Sequence, residues 1–162
     1  TTEIYTLSLH DALPISSGEA FPVRHPTPHH RTAGWGVRFP DPMEHLKHIE
    51  HIGIAVKDLQ AAEDIYARLL GVAPYKREEV ASEGVVTSFF RSGPNKIELL
   101  ESSDPEGPIA RAIAKRGEGI HHIAFAVDDI RAEMDRLRTE GFTLLNEEPK
   151  RGADNKIGRA HV

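Results

Sequence analysis

His51-Ile52-Gly53-Ile54-Ala55-Val56 decides how this chain is read, because the phrase returns as His122-Ile123-Ala124-Phe125-Ala126-Val127, 71 residues on. The same step carries Asp58-Leu59 onto Asp129-Ile130 and Tyr66 onto Leu137. A fixed internal period defines an architectural unit. Two copies, each opening on a histidine, predict a site assembled from equivalent positions of two halves.

Working outward, residues 49–56 are apolar and β-branched, which predicts a strand. Asp58 is a good N-cap, and Leu59, Ala62, Tyr66, Leu69 and Leu70 follow at helical spacing up to Gly71. Strands are predicted at 73–79, 85–90 and 96–101, with turns at Gly84 and at Ser92-Gly93-Pro94-Asn95. The first copy is thus a βαβββ unit. Asp104-Pro105-Glu106-Gly107-Pro108 breaks the chain, and Ile109 and Ile113 mark a short linking helix closed by Gly117 and Gly119. The second copy opens with a strand at 121–127. A helix capped by Asp129 follows, with Ile130, Met134 and Leu137 on one face and Gly141 at its end. A strand at 142–145 then turns out at Glu148-Pro149. The last one or two strands of the second copy are missing. The fold class expected is α+β, paired βαβββ modules with the second incomplete, over residues 48–156.

Both ends read as foreign to that domain. The segment 21–31, rich in proline and histidine, has neither helical nor strand periodicity and too little apolar surface to offset its ordering entropy. Tyr5 to Ile15 resembles the conceptual translation of a sequencing-library adapter, and Ile157 to Val162 resembles that of its partner. Residues 1–42 are therefore expected to be a non-native or disordered leader, Met43 a plausible true start, and 157–162 an adapter-like tail. On this reading the chain as written is poorly stable and inactive.

Composition narrows the function. Hydrophobic residues make up 39% and charged residues 28%, as in globular domains. A net charge of −5, no basic run and 6% aromatic residues argue against nucleic acid. No apolar run approaches the length of a membrane span. The chain has no cysteine, which removes disulfides and thiolate metal sites.

The chemistry centres on His51, Glu98 and His122. Each histidine opens its strand, at positions the repeat makes equivalent. Glu98 lies in Lys96-Ile97-Glu98-Leu99-Leu100, a carboxylate among apolar neighbours, and a buried carboxylate needs a partner or a metal. Two imidazoles and a carboxylate suit a divalent transition metal, and the lack of thiolates points away from a structural zinc site. Glu98 follows His51 by 47 residues, and the same step from His122 reaches position 169, past Val162. A site with two ligands per copy is three-quarters present. Of the other candidates, His45 and His48 read as ordinary satisfied or exposed histidines. His121 reads as facing away from His122 by strand alternation, and Glu101 as facing solvent.

These residues carry a resemblance to the vicinal oxygen chelate superfamily of glyoxalase I, extradiol dioxygenases and bleomycin-resistance proteins. Within it the core resembles the methylmalonyl-CoA epimerase family. The matching phrases are His51 to Leu59, Asn95 to Glu101, Pro108 to Ala110, Lys115 to Phe125 and Asn146 to Ala153. The resemblance implies that His51, Glu98 and His122 are metal ligands, with a fourth, a glutamate, absent. It implies a divalent ion, cobalt or manganese first, with zinc or nickel as alternatives. It further implies an isomerase epimerising methylmalonyl-CoA, by C2 proton abstraction through a metal-stabilised enolate. The implied partners are an acyl-CoA thioester and, at full length, a second copy in a homodimer; the implied compartment is the cytoplasm. Some family members carry a catalytic glutamate three residues after the glycine matching Gly84, where this chain has Thr87, so the bases are unassigned. Lys115 reads as an exposed helix-end lysine. The alternatives are a glyoxalase-like lyase of the same superfamily and a non-catalytic small-molecule-binding protein on the same fold.

Overall fold

The computed structural model describes residues 46–149, together with the backbone of short strands at residues 3–8 and 159–161. Met43, His45, the histidine-rich tract and residues 150–156 lie outside the described residues. In chain order the elements are β1 (Glu3–Ser8), β2 (His48–Ala55), α1 (Leu59–Leu70), β3 (Lys76–Val80), a single 3-10 turn, β4 (Val85–Ser92), β5 (Asn95–Ser102), α2 (Pro108–Arg116), β6 (Gly119–Val127), α3 (Ile130–Thr139) and β7 (Arg159–His161). They build one mixed sheet in the order β3-β4-β5-β2-β6-β1-β7. The class is α+β, and β2-α1-β3-β4-β5 is the complete βαβββ unit read from the first copy.

The repeat is visible in local geometry. Asp58 caps α1 by accepting the Ala61 N–H, and Asp129 caps α3 by accepting those of Arg131 and Ala132. The two caps share one backbone conformation, φ −134°, ψ 104° and φ −137°, ψ 107°. Each carboxylate satisfies donors that the first helical turn leaves without partners. Asp58→Ala is expected to cost about 1 kcal/mol of stability, read as a lower urea midpoint at unchanged slope. An unchanged midpoint would show that the cap contributes nothing.

The two helices cover one face of the sheet through separate clusters. Under α1, Leu59 and Ala62 pack on Val56, Phe90 and Leu99, with Tyr66 and Leu70 at the margin. Under α3, Ile130, Met134 and Leu137 pack on Val127 and Phe125. A third cluster joins α2, through Ile109 and Ile113, to Ala55, Val85 and Leu100. Strand alternation puts Leu100 and Ala55 on the face opposite Leu99 and Ile54. Glu98, His51 and Gly53 belong to the α2 side of that division, which leaves this face for the site.

Two expectations change. Phe142–Leu145 is not a strand: Leu144 packs against the α3 cluster while Phe142 and Leu145 are exposed. Its counterpart β3 exists by pairing with β4, from Lys76 opposite Phe89 to Val80 opposite Val85. Among the described residues the second half has no strand equivalent to β4, so 142–145 has no ladder to join. The second concerns the edge of β6, where the missing strands of the second copy would lie. Residues 3–8, read as leader, run antiparallel to β6 as β1, and β7, read as tail, runs parallel to β1. Ladder hydrogen bonds come from the backbone, so an exposed edge accepts an extended segment whatever its origin.

Candidate metal centre

The site is set by the register of β2 against its two neighbours. On β6 the pairs are His51–Ala124, Ile52–Ile123 and Gly53–His122. The 71-residue step exchanges the first and third pairs and maps the middle one onto itself. Ile52 and Ile123 therefore sit on the local twofold axis, with the two histidines related across it. On the other side β5 runs parallel to β2 and places Glu98 opposite Gly53. One row of the sheet thus reads Glu98, Gly53, His122, with His51 two residues along the same face.

The side chains converge. His51 Nε2 lies 2.9 Å from His122 Nε2, and Glu98 Oε2 lies 3.2 Å from each of them. His122 and Glu98 are buried and His51 nearly so. Neighbouring donors around a cation bonded at about 2.1 Å stand about 3 Å apart in octahedral geometry. The three separations match that spacing, and two imidazoles with one carboxylate form a set that transition metals accept. Among the described residues this is the one cluster whose ligand atoms could hold an ion.

Without a cation the same atoms form a buried ionic cluster. Burial alone would raise the Glu98 carboxyl, but hydrogen bonds from His122 and His51 hold it well below the usual carboxylate range. Burial alone would lower His51, but the flanking carboxylates of Glu50 and Glu98 raise it to about 9. Glu50 is lowered to about 2, its burial outweighed by His51 and Lys96. The flanking carboxylates thus hold a proton on the His51 ring, which a cation bound at Nε2 would have to displace.

The three residues selected from the sequence are brought together. His48 is exposed, as expected, and so is Lys115 at the end of α2. Glu101 is not turned to solvent: it is half-buried and accepts the Leu59 N–H at 3.3 Å, which ties β5 to the start of α1. Thr87 is buried, and its hydroxyl donates to the Glu78 carbonyl at 3.3 Å. His121 does not face away: its Nδ1 lies 3.0 Å from His122 Nδ1. Glu50, which the sequence reading passed over, has its carboxylate 2.6 Å from His51 Nδ1 and is also paired with Lys96. The signal was present as two doublets, Glu50-His51 and His121-His122, at equivalent positions of the repeat.

Gly53 is a spacing requirement of the site. A Cβ there would fall on the His122 ring, 2.6 Å from Nδ1 and nearer still to Cε1 and Nε2. Gly53→Ala is expected to displace His122 and weaken cobalt binding at least tenfold, as outer-sphere changes at metal sites do, while circular dichroism stays that of the parent. Parent-like affinity would show that the ring can move without loss.

The chain belongs to the Glyoxalase/Bleomycin resistance protein/Dioxygenase superfamily, whose family model matches residues 50–158. Its relatives include the ethylmalonyl-CoA/methylmalonyl-CoA epimerase of Cereibacter sphaeroides, 39% identical over 110 residues, covering 67% of this chain and 82% of that one. The human mitochondrial methylmalonyl-CoA epimerase is 35% identical over 112 residues, 68% of this chain and 64% of its own. Among solved structures, a variant of the Streptomyces coelicolor methylmalonyl-CoA epimerase in complex with 2-nitronate-propionyl-CoA superposes with a TM-score of 0.65. It is 27% identical and covers 72% of this chain and 97% of that one. No helix among the described residues is long and apolar enough to cross a membrane.

Proposed function

We propose that this chain carries the site of a metal-dependent epimerase acting on methylmalonyl-CoA or a closely similar 2-substituted malonyl thioester. The observation that supports it most directly is the buried Glu98 carboxylate held between two symmetry-related imidazoles. His51, His122 and Glu98 would hold a divalent cation, with cobalt or manganese suiting the mixed nitrogen and oxygen set. A cation held there would supply Lewis acidity to the substrate as negative charge builds on loss of the C2 proton.

The residues set the charge of the site. Two neutral imidazoles and one carboxylate leave a dication with one uncompensated positive charge, which favours an anionic substrate. That preference strengthens as negative charge develops, and an interaction stronger in the transition state than in the ground state lowers the barrier. Phe89, opposite Glu98 on β4 and buried, keeps water from that side of the carboxylate. Epimerisation is then removal of the C2 proton and its return to the other face.

The test is proton exchange. In D2O the cobalt-loaded protein should incorporate deuterium at C2 of methylmalonyl-CoA and interconvert its epimers, followed by NMR and chiral analysis. Exchange no faster than in protein-free solution would remove the epimerase reading. Turnover of a glutathione hemithioacetal in its place would favour a glyoxalase-like lyase.

A further inference from the structure

We propose that Glu50 and His121 are a symmetry-related pair of positioning residues, each delivered by a β-bulge behind one candidate ligand imidazole, and that their different chemistry makes the two imidazoles unequal. The inference rests on the metal site proposed above and concerns this chain's own residues.

The bulges are read from the register. Between β2 and β6 the pairing passes from Ile49–Phe125 directly to His51–Ala124, so Glu50 is an extra residue on β2. It passes from Gly53–His122 directly to Ile54–Ile120, so His121 is an extra residue on β6. The 71-residue step carries Glu50 onto His121, and each irregularity onto the other. A bulge breaks strict alternation by placing two residues of one strand opposite one of its partner. Without it, Glu50 and His121 would project away from the histidines that follow them. With it, each lies beside its histidine.

Contact follows in both halves and at the same ring atom. Glu50 Oε2 is 2.6 Å from His51 Nδ1, and His121 Nδ1 is 3.0 Å from His122 Nδ1. The His121 and His122 rings meet edge to face, with centroids 5.3 Å apart. In both halves Nε2 is left pointing at Glu98. An imidazole that gives Nε2 to a cation keeps its proton on Nδ1, and that proton needs an acceptor. Glu50 provides a carboxylate, fixed on its other oxygen by Lys96. His121 provides a ring nitrogen. A carboxylate acceptor draws the Nδ1 proton and makes Nε2 a stronger donor, and a neutral imidazole does so less. His51 is thus the stronger of the two nitrogen ligands, although the repeat makes the two equivalent in position.

The experiment measures Co2+ binding by calorimetry, with no substrate, on the parent, Glu50→Gln and His121→Glu, each as the pH-independent affinity fitted across about pH 7–9, so that proton competition at the imidazoles is divided out. Glu50→Gln keeps the shape and removes the charge, and should weaken Co2+ binding about 10–100-fold, the range for outer-sphere partners. His121→Glu copies the first half's carboxylate into the second and should tighten binding about tenfold. A purely structural role for position 121 predicts no such gain, and this variant also decides the matter where Glu50→Gln fails to fold. In the zinc-loaded parent, 1H–15N spectra should show both rings protonated on Nδ1, with the His51 proton farther downfield. Parent-like affinity in both variants overturns the inference. A parent that binds no Co2+ overturns instead the metal site on which it rests.

Discussion

His122→Ala is expected to abolish divalent-metal binding and C2 proton exchange together while the protein stays folded. The effect should exceed the 10–100-fold that outer partners are worth, because one of three ligand atoms is removed from a set with no described fourth. The choice of histidine matters. In the metal-free protein His51 is cationic and sits between Glu50 and Glu98. Removing it takes the cationic partner from the buried Glu98 carboxylate, which keeps only its hydrogen bond with His122, and breaking a buried pair from one side costs about 3–5 kcal/mol. Removing His122 leaves the His51–Glu98 pair intact, so the fold is spared and the loss can be read as loss of a ligand. Glu98→Gln is the companion: it keeps the volume, removes the charge, and should also abolish Co2+ binding. The measurements are equilibrium dialysis against Co2+ and deuterium incorporation at C2, with thermal unfolding as the control. Full exchange activity in a folded His122→Ala protein would end the metal reading. Lost exchange with intact Co2+ binding would reassign His122 from ligand to proton carrier.

The clustering of His51, Glu98 and His122 was legible because the repeat supplied a second, independent reason to look at each histidine. His51 alone is an imidazole at a strand start; His51 with His122 across a twofold axis is a pair that the fold brings together. Glu98 was legible from its apolar neighbours, since a carboxylate amid Ile97, Leu99 and Leu100 has to be compensated. The caps at Asp58 and Asp129 were legible because capping is local chemistry. What was not legible depended on departures from regular geometry. Alternation assigned His121 to the wrong side, because a single inserted residue in the β2–β6 ladder reverses that assignment. The counterpart bulge on β2 concealed Glu50, and its Lys96 partner lies on a different strand. The segment 142–145 has strand composition, but a strand exists only with a partner, and its own residues do not reveal whether one is present. The pairing of residues 3–8 with β6 was equally beyond pattern reading, since the ladder is made by backbone atoms and depends on the edge rather than on side chains.

Cobalt affinity should rise about ninefold between pH 7 and pH 8, and the reason lies in which group must give up a proton. His51 is raised from 6.5 to about 9 in the metal-free protein. A raised histidine stabilises the fold fully below its unfolded value of 6.5, and that contribution is lost as pH climbs through about 9. Across pH 7–8 the metal-free state therefore keeps the His51 proton, and a cation has to displace it to reach Nε2. Binding then releases about one proton from His51, and affinity climbs nearly tenfold per pH unit until the group titrates. The two carboxylates add nothing in this window, because Glu50 is lowered to about 2 and Glu98 lies lower than an ordinary carboxylate. An unperturbed imidazole at 6.5 would give only about a 1.3-fold change over the same interval. Calorimetry in buffers of different ionisation enthalpy counts the released proton directly. A flat affinity from pH 7 to 8 would mean that His51 is neutral before the metal arrives, and that Glu50 and Glu98 do not raise it. Glu50→Gln should flatten the profile while leaving a binding site, because it removes one of the two carboxylates that hold the proton in place.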